Sequence, residues 1–323
     1  MPQIPRVINP DPQRFFEEYI VAGRPAVLVG CMDWRIVEVD PRTLLDPNKE
    51  VFVTEDDIGL YGPGHYRKTI LHFGEVLRRW QSSGKRKFYY MDQQPINRLH
   101  PELLSYIGYP QMLPRELLVA VNLWMGEGRI RWHFDGVDNF LAHIHGCKSV
   151  RLIPPEKLRN MYVFGNQWCA IDDVDHVDLD AFPLAADIGE TFDTVLEKGE
   201  MLFLPAGWWH TAAAVGGWAA SVNFWYDTWY GVRKSVFERP FCSGLEHLTH
   251  LLAEEVPHAE RQHYCRLAIE MLERIVAGQP LPMKSLGGWD NPQRINFTPV
   301  ADRVPPRFPD GRGTAAKAAA ISR

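Results

Sequence analysis

A series of short, β-rich runs between residues 117 and 226 constrains the fold more than any other feature. The runs read LLVAVNLWM, FLAHIH, SVRLIP, MLFLP and ASVNFWY, and glycine, proline or aspartate residues separate them. Branched and aromatic residues at this spacing, with turn formers between them, are typical of an antiparallel sandwich or barrel. We therefore predict a mainly β protein whose core spans residues 116–240.

The segment before this core shows a mixed pattern, and residues 1–115 are predicted to form an α/β region that packs on the barrel. Apolar spacing and β-rich runs predict helices at 11–22 and 71–79 and strands at 25–29, 51–54 and 87–91.

The segment after the core is predicted to be helical over residues 241–280. Apolar residues recur at helical spacing in 245–254 and 260–277, and residues 281–323 lack a core pattern and are predicted to be an extended tail. The long stretch 159–194 contains the acidic run DDVDHVDLD. We interpret it as an insertion between strands, and favour a solvated loop over a metal site there.

Composition narrows the class of protein. Hydrophobic residues make up 46% of the 323 and charged residues 23%, which is typical of a globular chain. The net charge of −5 disfavours a nucleic-acid partner, and no apolar run approaches the roughly 20 residues that span a bilayer. The five cysteines are scattered without a CxxC pair, which argues against a disulfide framework or a cysteine zinc site. We expect a soluble cytoplasmic protein.

A metal site is indicated by the pair His133 and Asp135. Residues two apart in a strand point to the same side, so both side chains would face one interior. His210, in GWWH after the run MLFLPA, is placed to supply a third ligand from an opposite strand. Two imidazoles and one carboxylate on one face of a metal suit non-haem Fe(II), although a zinc hydrolase is compatible with the same ligands.

The next segment predicts a lysine inside the barrel. Residues 138–144 and 147–153 are β-like and flank His145-Gly146, which fits a two-residue hairpin turn. The inward positions of that hairpin would be Asn139, Leu141, His143, Lys148, Val150 and Leu152. A buried ammonium is costly without a partner, so Lys148 should meet a carboxylate or an anionic ligand. A lysine that reaches water from a strand end is the alternative.

2-Oxoglutarate would account for the metal ligands and the lysine together. It chelates iron through its keto oxygen and near carboxylate, and leaves its distal carboxylate about one side-chain length away. Lys148 is placed to pair with that carboxylate through a charge-assisted hydrogen bond of about 1.5–3 kcal/mol.

These segments also resemble a known family. WHFDGVDNFLAHIHGCKSVRLIPP, LEKGEMLFLPAGWWH and SVNFWY are similar to the JmjC (cupin-like) 2-oxoglutarate oxygenases, and most to the asparaginyl hydroxylase factor inhibiting HIF and its relatives. The similarity is strong over residues 117–226 and looser but collinear over the first hundred residues. It implies a double-stranded β-helix, or jelly-roll, core with flanking α/β elements and C-terminal helices, and a dioxygenase that uses Fe(II), 2-oxoglutarate and O2.

The resemblance also assigns roles to individual residues. It implies iron binding by His133, Asp135 and His210, contacts to 2-oxoglutarate by Lys148, Asn139, Asn223 and Tyr90, and contacts to substrate by Tyr61 and Trp225. The sequence departs from the family at one position. The family has a threonine three residues before the first iron-binding histidine, and this chain has Ile130 there. Lys148 and Tyr90 would then do more of the binding, or the co-substrate would sit differently.

The predicted reaction is hydroxylation of a protein or peptide side chain with release of succinate and CO2. Demethylation is disfavoured because no histone-reader or zinc module accompanies the domain. Hydroxylation of a modified tRNA base or of a small molecule is an alternative. A catalytically silent cupin-like binding or dimerisation module is an alternative of another class, against which the intact triad argues. The apolar stripes of the C-terminal helices, with the resemblance, predict a homodimer, and arginine at Met271 or Leu272 should give monomers.

Overall fold

The computed structural model describes residues 3–62, 67–82, 87–164, 167–226, 252 and 258–279. The chain divides into two compact units, Met1–Arg239 with Pro306–Arg323, and Pro240–Pro305.

The first unit is built on one large sheet system of 14 strands in its described part. The strands are β1 (Arg6–Ile8), β2 (Ala26–Val29), β3 (Glu50–Asp56), β4 (Leu60–Tyr61), β5 (Arg67–His72), β6 (Phe88–Pro95), β7 (Leu118–Gly126), β8 (Arg129–His133), β9 (Asp138–Ile153), β10 (Val163–Phe164), β11 (Trp168–Cys169), β12 (Phe192–Leu196), β13 (Met201–Leu204) and β14 (Trp209–Tyr226). The main path runs β1-β2-β13-β9-β14-β7-β6-β3-β5, with β8 paired to β14, β11 and β4, and β12 paired to β9. A mainly β protein was predicted, and this is confirmed.

Helical elements of the first unit are short and follow local sequence signals. Helix α1 (Pro12–Phe15) continues as a π-helical turn over Phe16–Ile20, and Asp11 caps it by accepting a hydrogen bond from the Arg14 amide at 2.9 Å. Helix α2 (Phe73–Gln81) buries Phe73, Val76 and Trp80, and α3 is Ile96–Leu99. Single 3-10 turns lie at Arg35–Glu38, Pro41–Thr43, Pro101–Ser105, Arg115–Leu117, Pro155–Lys157 and Pro183–Asp187. The predicted helices at 11–22 and 71–79 therefore fall where helices form, as the predicted strands fall on β2, β3 and β6.

Two long antiparallel strands form the spine of the barrel. β9 pairs with β14 along most of its length, from Asp138 opposite Tyr226 to Ile153 opposite Trp209. The predicted hairpin at His145-Gly146 is therefore wrong, because the chain continues through it as one strand of 16 residues. Gly146 has φ +73° and lies where the pairing with β14 shifts register. The turn-like glycine marks a β-bulge, not a reversal of the chain.

Three groups of buried apolar side chains hold this unit together. The largest includes Phe15, Phe140 and Phe203, which join the N-terminal elements to the outer face of the spine. A second fills the barrel and includes Leu141 and Leu152. A third includes Trp132, Phe134 and Trp209 and packs the insertion over residues 159–194 against the barrel.

Arginines tie the acidic run of the insertion to the barrel. The Arg151 guanidinium binds both carboxylate oxygens of Asp175, at 2.7 and 2.9 Å, and Arg131 pairs with Asp172 at 2.5 Å. Arg151 points out of the barrel, toward the insertion. These contacts make two of the carboxylates anchors of the loop, so the run is more than a solvated segment.

The second unit is described mainly through helix α4 (His258–Val276). Tyr264, Leu267, Ile269 and Leu272 are exposed on it. The helix predicted at 245–254, apart from residue 252, and the tail predicted from 281 lie outside the described residues. Within the described part of the chain, every helix is too short or too polar to cross a membrane.

Candidate active site

A single pocket contains all the side chains for which the sequence predicts a role. Its volume is about 890 Å3 including the open mouth. The lining includes Tyr61, Tyr90, Ile130, His133, Asp135, Asn139, Leu141, Lys148, His210, Ala212, Asn223 and Trp225. They come from β4, β6, β8, β9 and β14 and from the segment just after β8.

The three predicted metal ligands converge in this pocket. His133 ends β8, Asp135 follows it, and His210 pairs with His133 across the strands near the start of β14. Ligand atoms of the three residues all lie within 4.8 Å of one another. His210 Nε2 is 3.9 Å from Asp135 Oδ2, and the two imidazole centroids are 4.1 Å apart. The described part of the chain brings no other three such side chains together.

Backbone carbonyls fix both imidazoles in the tautomer that metal binding needs. His133 Nδ1 lies 2.8 Å from the Arg131 carbonyl oxygen, and His210 Nδ1 lies 3.0 Å from that of Trp208. A carbonyl can only accept, so both Nδ1 atoms carry the proton and each Nε2 has a free lone pair. Burial lowers the pKa of each histidine to about 4, and the neighbouring His210 contributes to the shift of His133. Neutral rings at pH 7 are the form that ligates metals.

The chemistry of this donor set fits a divalent iron. Two neutral imidazoles and one carboxylate from a rigid sheet would occupy one face of the ion and leave the opposite face for other ligands. His133, Asp135 and His210 are therefore the residues that would hold Fe(II).

Lys148 is the most unusual charged residue of the pocket. It is only 3% exposed, and no described residue forms a hydrogen bond or an ion pair with its ammonium group. Burial alone lowers the pKa of Lys148 to about 7. An ammonium in this position needs an anion from outside the protein. The alternative that it reaches water from a strand end does not match its burial.

Further predicted residues present unsatisfied polar atoms to the same space. The Oδ1 atoms of Asn139 and Asn223, the Tyr61 hydroxyl and Trp225 Nε1 are buried and lack hydrogen-bond partners among the described residues. Tyr61 and Tyr90 stack with centroids 5.1 Å apart, and burial raises the pKa of both well above the usual value. Both tyrosines therefore remain neutral hydroxyl groups. Ile130 lines the pocket too, so the departure at this position lies in the wall of the site.

Several lining residues have no counterpart in the predictions. Trp168, from the insertion, stacks on the His133 ring with centroids 5.0 Å apart. Trp124 lies beside Tyr90, and Thr54 donates to Asp92, which also pairs with Lys68 at 3.1 Å. These residues come from separate segments with no shared motif. The tryptophan in the polar insertion was the one available signal.

Comparison with known proteins places the chain in a family. A family model described as "Cupin-like domain" matches residues 12–231, more than half of the chain. The chain belongs to the cupin-like domain family. This match confirms the sequence resemblance to cupin-like JmjC proteins and the jelly-roll core, and it confirms the expected enzyme class at the level of the family.

Named relatives act on different substrates. The chain is 27% identical over 230 residues to lysine-specific demethylase JMJ30 of Arabidopsis thaliana, covering 66% of this chain and 52% of that protein. It is 27% identical over 245 residues to tRNA wybutosine-synthesizing protein 5 of Danio rerio, covering 72% and 68%. It is 24% identical over 235 residues to lysine-specific demethylase 8 of Xenopus tropicalis, covering 69% and 53%. The chain thus spans about half the length of the two demethylases.

Proposed function

We propose that this protein is an Fe(II)- and 2-oxoglutarate-dependent dioxygenase that hydroxylates a protein or peptide side chain. One observation carries the proposal: a single pocket combines a set of two histidines and one carboxylate with a buried lysine that no described residue neutralises. A chelating dianion explains both features. One end would complete the coordination of the metal ion, and the carboxylate at the other end would neutralise Lys148. A zinc hydrolase or a silent binding module explains the triad or the fold and leaves the lysine unexplained.

The chain's own residues bind and orient the reactants. His133, Asp135 and His210 would hold the metal, with the Arg131 and Trp208 carbonyls fixing the two imidazoles. Bound Fe(II) with 2-oxoglutarate and O2 supplies the oxidation, in which one oxygen atom enters a substrate C–H bond and the other enters succinate, with loss of CO2. Lys148 orients the co-substrate by its distal carboxylate, and the Tyr90 hydroxyl shares that role.

Other residues control access to the oxidised carbon. Asn139 and Asn223 face each other diagonally across β9 and β14, since Asn139 pairs with Trp225 and Asn223 with Leu141. Their amides supply polar contacts near the metal. Trp225 and Trp168 form apolar walls that keep water from the reacting atoms, and Tyr61 lies toward the substrate side.

The test is an anaerobic titration with Fe(II) and then 2-oxoglutarate, followed by visible charge-transfer absorption. A band that requires His133 and weakens in Lys148→Ala is expected, whereas His176→Ala, which removes an exposed histidine, should behave as wild type. Absence of a band in the folded wild-type protein would refute the proposal. A positive result leads to incubation with peptide libraries and mass spectrometry for the gain of one oxygen atom.

Hydroxylation of a tRNA base is the second candidate. The observation that favours it is the similarity to tRNA wybutosine-synthesizing protein 5 of Danio rerio, which is 27% identical to this chain over 68% of its own length. The net charge of −5 weighs against it. A tRNA gel shift whose affinity falls steeply with salt would support this candidate, and absence of binding at low salt would exclude it.

A further inference from the structure

A buried histidine in the barrel wall lies between two groups of pocket residues on the same strand. His143 of β9 is fully buried and is not part of the pocket lining. Asn139 and Leu141, which precede His143 in the strand, line the pocket, and so does Lys148, which follows it. Alternate residues of a strand face opposite sides, so odd and even positions can share one face only if the strand shifts by one residue between them.

The shift occurs at the bulge next to His143. On β14, Ala220 pairs with His145 and Ser221 with His143, which leaves Ile144 as the additional residue on β9. Gly146, two residues further, has φ +73°, and a Cβ atom there would lie 2.6 Å from the Trp218 carbonyl oxygen. The backbone just after the bulge therefore passes through a position that only glycine fits, and the side to which Lys148 points depends on the bulge at Ile144.

The His143 ring holds this bulge from inside. Its Nε2 donates to the Gly146 carbonyl at 2.9 Å, and its Nδ1 accepts from the Ser221 hydroxyl at 3.1 Å. Its backbone is fixed too, because the amide donates to Glu200 and the carbonyl accepts from Gly199, both at 2.9 Å. Both ring nitrogens are therefore used within the barrel wall.

The His143 ring can lie near Lys148 without competing for the anion that the lysine binds. Burial, followed by the nearby Lys148 charge, lowers the pKa of His143 to about 3. The ring is neutral at pH 7, so it neither pairs with an anion nor repels the ammonium strongly. Its contribution is to hold the backbone in place.

We infer that His143 is a positioning residue: its hydrogen bond to Gly146 fixes the bulge that directs the Lys148 ammonium into the pocket toward the distal carboxylate of 2-oxoglutarate. This inference rests on the proposed function, in which Lys148 binds that carboxylate.

The test compares two ligands in the full-length protein loaded with Mn(II) under argon, by calorimetry. Pyruvate has the same chelating keto-acid end as 2-oxoglutarate and no distal carboxylate. His143→Ala should weaken 2-oxoglutarate about tenfold, the effect of losing one good hydrogen bond, and leave pyruvate and Mn(II) affinity unchanged. His143→Gln, whose amide can still donate to Gly146, should restore 2-oxoglutarate to within about threefold of wild type.

Three further variants make the result decisive. His100→Ala removes a fully buried histidine outside the pocket and controls for lost stability. Ser221→Ala removes one hydroxyl and serves if His143→Ala does not fold, with about a threefold loss for 2-oxoglutarate alone expected. In a Lys148→Met background, His143→Ala should cause no further loss, because coupled residues are not additive.

The outcomes separate the inference from the proposed function. Unchanged 2-oxoglutarate affinity in His143→Ala and Ser221→Ala overturns the inference, as does an equal loss of pyruvate and 2-oxoglutarate. If Lys148→Met itself binds 2-oxoglutarate as wild type does, the assignment of Lys148 in the proposed function fails instead.

Discussion

Replacing Lys148 by methionine should weaken 2-oxoglutarate binding and stabilise the ligand-free protein. The two effects have the same cause, which is that Lys148 is 3% exposed and its ammonium group is unpaired among the described residues. Without the co-substrate the charge is desolvated with no compensation, and in the proposed complex with 2-oxoglutarate it would form an ion pair. Methionine has a similar length and fills the same space without a charge.

The structure sets the size of both effects. A pKa lowered from 10.5 to about 7 corresponds to a destabilisation of at most about 5 kcal/mol below pH 7. Water entry and relaxation reduce this figure, and we expect the variant to gain about 1–3 kcal/mol. Loss of a charge-assisted hydrogen bond of about 1.5–3 kcal/mol should raise the Kd for 2-oxoglutarate about 10- to 150-fold.

Two measurements check the prediction. Chemical denaturation of the metal-free proteins gives the free energy of unfolding, and anaerobic calorimetry gives the Kd for 2-oxoglutarate. Lys198→Met, which changes an exposed lysine, is the matched control and should alter neither quantity. If Lys148→Met destabilised the ligand-free protein, Lys148 would have to have a partner in that state. Unchanged affinity would show that the distal carboxylate binds elsewhere.

Four further outcomes are expected. The folded-state pKa of Lys148 is about 7, below the ordinary value of 10.5, so between these pH values the folded protein binds fewer protons than the unfolded chain. The stability of the wild type relative to Lys148→Met should therefore rise between pH 7 and 10.5, as measured by denaturation at several pH values. Arg151→Ala should lose about 1–2 kcal/mol and hasten proteolysis within 159–194, since it breaks a bidentate pair; unchanged digestion would contradict this. Gly146→Ala should destabilise by about 2–4 kcal/mol, from φ +73° and the contact with Trp218, as measured by thermal melting. Leu272→Arg should halve the molecular mass measured by light scattering, whereas Gln262→Arg, on the same helix, should leave it unchanged. A Leu272→Arg variant with the same mass as the wild type would refute the predicted homodimer.

The convergence of the proposed metal ligands could be predicted because it depends largely on local geometry. His133 and Asp135 are two residues apart, and a strand places such residues on one side regardless of the rest of the fold. His210 follows a recognisable strand, and the structure pairs it directly with His133. Short-range rules therefore predicted the convergence of the three side chains.

Lys148 was predicted to point inward for a reason that the structure corrects. A hairpin and a bulge both let odd positions before Gly146 and even positions after it share a face, so alternation alone cannot distinguish them. What decides is the partner strand: β14 continues past the glycine, with its own register shifts near Val215 and Ala220. Long-range pairing of this kind leaves no pattern in residues 138–153.

Contacts made by distant segments could not be predicted at all. Trp168 reaches His133 only because β11 pairs with β8, and neither segment contains a motif that refers to the other. The same holds for Thr54 and Asp92, which meet through the pairing of β3 with β6.

The stack of Trp168 on His133 has a consequence for engineering this protein. A designer who wished to change the substrate would exchange residues 159–194 as a cassette, because they connect two strands of a rigid barrel. The cassette carries the ring that covers a proposed iron ligand, so a graft without that tryptophan would loosen the imidazole along with the substrate wall. Chimeras should therefore keep Gln167 to Cys169 and vary the remainder of the loop.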